Sequence, residues 1–295
     1  MNARDAGVVI LGVGADDLAP AEAFVVAEAA RHGGVVRVVH AILPIQSARV
    51  PPPLQVDGDT LRVVGTKVLD DVVGRLEHAL GEDVPVESLL LYGAAAHALV
   101  DASETARRVV VQRRPRARGH LRTLAIVGNV AGHAPAPVVV VPPGWEPDPG
   151  REARVVVAVD DVLTSPQLLS VALDEAAVRG ARLRIVHAWY FSELYDEIAF
   201  AGPALDLHQD EVRADLTREL APTLDKRPDV TAELVVVHGR PADVLVEETR
   251  SAGLIVLGRH RASVPWGSHL GSVVRAVLHE AECPALVLDS APRRG

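Results

Sequence analysis

The sequence predicts an α/β fold built twice: two tandem domains, each a five-stranded parallel sheet with helices on both faces. Three observations predict it. Short apolar runs alternate with helix-patterned segments along the whole chain. The alternation restarts after residue 150 in the same register. The length, 295 residues, suits two domains of about 100–200 residues each.

In the first half, Val8–Leu11 is a short apolar run of the kind buried on both faces of a parallel sheet. Gly12-Val-Gly14 reads as its end, and Pro20–Arg31 as an alanine-rich helix closed by Gly33-Gly34. Val35–His40 is the second strand, and Pro44–Asp59, with three consecutive prolines, a loop. Leu61–Leu80 has helical spacing that places Leu61, Val64, Val68, Val72 and Leu76 on one side. Val86–Leu91, a helix near Ala95–Thr105, Arg108–Val111, a helix containing Gly128–His133, and Val138–Val141 continue the alternation.

The proline- and glycine-rich stretch Pro142–Gly150 has the composition of a connection, so the domains are drawn at 1–143 and 151–295 with 144–150 between them. In the second half, Arg154–Val159 is a strand closed by Asp160-Asp161, and Pro166 opens a helix ending near Gly180. Arg182–His187, a helix over Leu207–Leu224, and the strand Ala232–Val237 follow. Gly239 leads into a helix through Thr249, then come strand Leu254–Leu257, helix Gly271–Glu280 and strand Ala285–Leu288.

The halves match at a spacing of 146–147 residues. Ala29-Ala30, Gly33 and Val39-His40-Ala41 pair with Ala176-Ala177, Gly180 and Val186-His187-Ala188. Gly93 pairs with Gly239, and Ala136-Pro137 with Cys283-Pro284. Register kept over a whole unit marks an internal duplication.

Composition narrows the function classes. A net charge of −9 argues against nucleic-acid binding by the surface as a whole. Arginine supplies nearly all positive charge, since Lys67 and Lys226 are the only lysines. No apolar run reaches the roughly 18 residues of a membrane span. A single cysteine, Cys283, excludes an intrachain disulfide and reads as structural. With no leader-like segment at Met1–Gly7, the expected location is the cytoplasm.

The stretch richest in chemistry is Leu254–Val273. An apolar strand runs into Gly258, a loop follows, and Gly271-Ser272 opens a helix. Glycine admits a ligand close to the backbone, and a helix N-terminus presents unpaired N–H groups and the positive end of its dipole. That combination suits a phosphate.

These residues resemble the universal stress protein family in its tandem two-domain form. The resemblance rests on Val155-Val-Val-Ala-Val-Asp160, Val186-His187-Ala188, Gly239, and Cys283-Pro284-Ala-Leu-Val-Leu288. Its most specific part is the loop signature Gly-x-x-Gly, nine residues, Gly-Ser/Thr. Here that reads Gly258-Arg-His-Arg261, Ala262–Leu270, Gly271-Ser272, with Arg261 in place of the second glycine. The resemblance implies Rossmann-like domains, akin to adenine nucleotide alpha hydrolases, of strand order 3-2-1-4-5. It also implies ATP, with magnesium as its possible companion, over the carboxyl ends of strands one and four. Asp160 would take the ribose hydroxyls, and Ala158 and Ala188 would line the adenine through backbone atoms. Gly258, Gly271, Ser272 and Val273, with Arg261, would hold the phosphates. Arginine at a positive-φ position costs about 1–2 kcal/mol, and an arginine–phosphate bond returns about 1.5–3 kcal/mol. Both a working and a reshaped loop fit those magnitudes.

In the first half, Gly14 stands where Asp160 stands, and Gln112 and Pro115 replace the loop glycines. Leu124-Ala125 falls at the position of Gly271-Ser272, so this half is not expected to bind ATP in the family's way. Its loop 113–122 carries Arg113, Arg114, Arg116, Arg118 and Arg122, which reads as a solvated basic loop, with an anion-binding patch as the sharper alternative.

Other signals are weaker. Asp17 breaks a dinucleotide fingerprint begun by Gly12-Val-Gly14, and no P-loop is present. His40 and His187 occupy matching strand ends without clustered ligands and read as structural. Ser165 reads as a helix cap rather than a nucleophile. Trp266 is either a lid or a partner contact.

Two functions follow. The first is a non-catalytic, ATP-responsive stress protein acting through its second half. The second is a nucleotide-free scaffold working through protein partners. The resemblance further implies that Val138–Val141 and Ala285–Leu288 pair as a pseudo-dimer within one chain, with a homodimer possible.

Overall fold

A computed structural model describes residues 7–14, 17–43, 57–114, 121–160, 166–190, 203–259 and 270–290. Contacts divide the chain into unit 1, Met1–Glu146, and unit 2, Pro147–Gly295.

Unit 1 follows a strict β/α alternation. β1 (Val8–Val13), α1 (Ala19–His32) and β2 (Val35–Ile42) come first. α2 (Gly58–Leu80), β3 (Val86–Tyr92) and α3 (Ala95–Ala102) follow, then β4 (Ala106–Gln112), α4 (Leu121–His133) and β5 (Val138–Val141). Every strand pair is parallel, in the order β3-β2-β1-β4-β5. β1 and β5 carry no polar side chain, as suits strands of a parallel sheet covered on both faces. Val9, Ile10, Leu11, Val38 and Val110 are accordingly buried at the centre.

Unit 2 repeats the scheme. A short helical turn, α5 (Pro149–Glu152), precedes β6 (Arg154–Ala158), α6 (Pro166–Arg179) and β7 (Arg182–Trp189). α7 (Pro203–Leu224), β8 (Ala232–His238) and α8 (Pro241–Glu248) follow, then β9 (Leu254–Arg259), α9 (Ser272–Glu280) and β10 (Ala285–Asp289). Its parallel strands run β8-β7-β6-β9-β10. Numbered within each unit, the strands of both units have the order 3-2-1-4-5.

The duplication extends to side-chain bonds. The imidazole Nδ1 of His40 donates to the Val13 carbonyl at 2.9 Å, and that of His187 to the Val159 carbonyl at 3.0 Å. Both histidines tie the second strand of their unit to the end of the first, the structural role expected of them. Arg37 bonds Glu87 across β2 and β3, and the matching Arg184 bonds Glu233 and Glu248. α1 and α6 both stop at a glycine in the left-handed region, Gly33 (φ 64) and Gly180 (φ 60), where a side chain would be strained.

Two local expectations change. Gly12 does not end β1 but lies inside it, paired with Val39 and Val111. A Cβ there would stand 2.9 Å from Leu99 Cδ1, so the glycine marks close packing of α3 rather than a turn. On α2 the buried stripe is Gly65, Leu69, Val72 and Leu76, while Val64 is 55% exposed. α2 packs tightly on the sheet at Gly65, where a Cβ would lie 2.9 Å from Leu90 and 3.1 Å from His40.

The stretch 144–150 carries structure of its own. Trp145 is buried and meets Phe24 edge-on, with ring centroids 5.7 Å apart, in unit 1. Asp148 caps α5 by accepting from the Gly150 N–H at 2.8 Å, in unit 2. Among the described residues no helix is long and apolar enough to cross a membrane.

Cys283 is fully buried, and burial pushes its thiol up to about 12. It should therefore resist a thiol-specific reagent at pH 8 in the native protein and react at once in denaturant. The raised value also stabilises the fold below the ordinary thiol range, a contribution lost as pH climbs from about 9 towards 12. Cys283→Ala should flatten that alkaline limb of the stability profile.

Candidate nucleotide cleft

The carboxyl ends of the unit 2 strands enclose a cleft of about 280 Å³. Its sheet side is made by Ala158, Val159 and Asp160 after β6, Val186 and Ala188 on β7, and Leu257 and Gly258 on β9. Pro241 and Leu245 of α8 and Leu168 of α6 supply apolar walls. Gly271, Ser272, Val273 and Val274 bring in the start of α9, and Ser290 closes the end beyond β10. β6 and β9 are neighbours here, although β7 and β10 leave the sheet centre in opposite directions. That is the switch point where ligands of such sheets bind.

Seven sequence-predicted site residues thus share one cavity: Ala158, Asp160, Ala188, Gly258, Gly271, Ser272 and Val273. Arg261 lies outside the described residues, as do Asp161, Ser165 and Trp266.

The local chemistry follows from how each element ends. His187 holds the Val159 carbonyl, and the Val159 N–H donates to Val186 O at 3.0 Å, so the backbone just before Asp160 is fixed on both sides. Asp160 is exposed at the mouth, and no described residue engages its carboxylate. A fixed acceptor-only group without a protein partner suits hydroxyl donors from a ligand.

Gly271 is the N-cap of α9, with ordinary extended dihedrals (φ −62, ψ 164) and no side-chain cap. A Cβ on it would meet no described atom within 4 Å. Among the described residues, neither backbone strain nor crowding calls for glycine here. Gly271 itself offers no side chain to cap the first-turn N–H groups. Gly258 differs: a Cβ would stand 3.0 Å from Ser290 Cβ and 3.3 Å from Leu168, so its smallness serves packing of the cleft floor. Leu168, Pro241, Leu245 and Ser290 carry no motif. Helical periodicity marks Leu168 and Leu245 as apolar-face residues, but not as cleft walls.

Unit 1 makes its own contacts at the equivalent strand ends. Leu99 packs on Gly12, and Gln112, which matches Gly258, bridges two main-chain groups. Its Oε1 accepts from the Ala21 N–H in the first turn of α1 at 3.1 Å, and its Nε2 donates to the Asp17 carbonyl at 2.8 Å. Gln112→Ala should strip both partners and destabilise unit 1 by about 1–3 kcal/mol, measured by denaturant unfolding. Of the basic loop 113–122, residues 115–120 and the side chains of Leu121 and Arg122 lie outside the described residues.

Comparison with known proteins fits this geometry. The model of the universal stress protein family matches residues 153–289, the segment that builds the cleft. A universal stress protein of Mycobacterium tuberculosis is 34% identical over 232 residues, covering 76% of this chain and 76% of its own. The chain belongs to the universal stress protein family. A universal stress protein of Mycolicibacterium smegmatis matches at 29% identity over 288 residues, 94% of this chain and 95% of its own. The relatedness to universal stress proteins therefore runs through unit 1 as well as unit 2. Among solved structures, a universal stress protein from Archaeoglobus fulgidus superposes with a TM-score of 0.67 at 17% identity, covering 96% of both chains. At that identity the match speaks for the fold.

Proposed function

We propose that this universal stress protein is a non-catalytic, nucleotide-responsive regulator whose unit 2 cleft takes one adenine nucleotide, ATP, per chain. The observation that carries the reading is the meeting of Asp160 with the open start of α9 in one apolar-walled cavity. The apolar part suits a base, Asp160 a ribose, and the α9 N–H groups a phosphate. The volume, about 280 Å³, lies near the lower end of ligand clefts.

Asp160 is the one carboxylate in the described wall, so this wall is no protein cage for magnesium. Magnesium would arrive with the phosphates. Unit 1, which has Gln112 at the position of Gly258 and Gly14 at that of Asp160, is assigned a scaffold role.

The test is ligand-induced stabilisation. ATP with magnesium should raise the melting temperature of the full chain in a concentration-dependent way, by linkage. An unchanged melting temperature at millimolar ATP, together with freshly purified protein that releases no nucleotide on denaturation, would favour the nucleotide-free scaffold instead.

A further inference from the structure

One buried charged pair beside the cleft has no part in the ligand contacts above. Arg259, the last residue of β9, is 4% exposed, and its Nε donates to Asp289 Oδ1 at 2.7 Å. Asp289 ends β10 and is the register partner of Arg259. The same residue is gripped through its main chain: the Arg259 carbonyl accepts from both the N–H and the Oγ of Ser290, each at 3.1 Å. Gly258 and Ser290, the neighbours of this pair in sequence, are cleft residues packed against each other. Strand alternation sends the Arg259 side chain to the face opposite Gly258, so the ion pair clamps the floor from behind.

The duplication supplies an internal control. Unit 1 keeps an arginine at the matching position, Arg113, but has Pro142 where unit 2 has Asp289. The carboxylate partner accompanies the unit that keeps Gly258, and proline accompanies the unit that has Gln112 there.

We propose that Arg259 and Asp289 form a positioning pair that fixes Gly258 and Ser290 at the cleft floor and thereby sets ligand affinity. The affinity part rests on the nucleotide reading; the positioning part does not. Removing one partner of a largely buried pair leaves the other charge uncompensated, and this pair joins the ends of β9 and β10.

The experiment reads two quantities in the full chain: ATP–magnesium affinity by calorimetry, and ligand-free hydrogen exchange of the Ser290 amide. Asp289→Asn should speed Ser290 exchange by roughly tenfold or more and weaken ATP by about tenfold, as expected for losing a charge-assisted bond. Asp289→Glu, which keeps the carboxylate, should stay within about threefold of wild type in both. Should Asp289→Asn fail to fold, Arg259→Lys, which keeps charge but loses the Nε donor, takes its place with the same expected direction. Ser290 exchange that stays at the wild-type rate overturns the proposal. So does an increase spread evenly over β6, β7 and β9, because that reports global loosening. If wild type binds no ATP but Ser290 still responds, the positioning role stands and the nucleotide reading falls.

Discussion

Gly271→Trp is expected to remove nucleotide binding from the chain while leaving unit 2 folded. The dihedrals at Gly271 are open to any residue, and a Cβ there meets no described atom within 4 Å, so the native backbone accepts a side chain. No capping hydrogen bond is lost, because Gly271 provides none. What changes is the space ahead of the α9 N–H groups, which an indole would occupy in a cleft of about 280 Å³. Affinity should fall by at least about 100-fold, a loss of about 2.7 kcal/mol, with the melting temperature of the ligand-free protein shifted by only a few degrees. Gly271→Ala should bind within about threefold of wild type. Calorimetry and thermal melts of both variants check this. A Gly271→Trp protein that binds like wild type would move the phosphate elsewhere.

Asp160→Asn should weaken ATP by about 10–100-fold, the range of one lost charge-assisted hydrogen bond. The side chain has no described protein partner, so the substitution leaves no buried group stranded and should barely move stability. A second ligand separates a ribose role from general electrostatics. If Asp160 accepts from the ribose, 2′-deoxy-ATP should bind wild type more weakly than ATP, and Asp160→Asn should compress that difference. Equal losses for both ligands in the variant would point to charge alone.

Much of this architecture was legible in the residues, because the information lies in periodicity. Val8, Val35, Arg154 and Arg182 each open a strand at the residue expected, since short runs dominated by apolar residues have few other uses in a domain with helices on both faces. The repeat spacing then carries the topology of one half to the other. Glycine was harder. Gly12 and Gly65 look like punctuation or helix weakness in one dimension, yet both are places where a neighbour comes within about 3 Å, a fact of the folded state alone.

The cleft divides the same way. Gly258 and Gly271-Ser272 lie in a spaced signature, and Asp160, Ala158 and Ala188 sit at fixed offsets from recognisable strand ends. Ser290 and Leu168 come to Gly258 from a different strand end and a different helix, and only the register of β9 with β10 and the seat of α6 bring them there. Gln112 read as a missing glycine. The structure turns it into a positive feature, a side chain that bonds Ala21 and Asp17 where unit 2 keeps a cavity. The pairing of Arg259 with Asp289, 30 residues apart, is likewise a register effect.

The most direct test of the central claim is the stoichiometry of ATP–magnesium binding to the full chain by calorimetry. One site per chain, lost in Gly271→Trp and kept in Gln112→Ala, is the expected result. No heat at all, two sites per chain, or a single site that survives Gly271→Trp would contradict it.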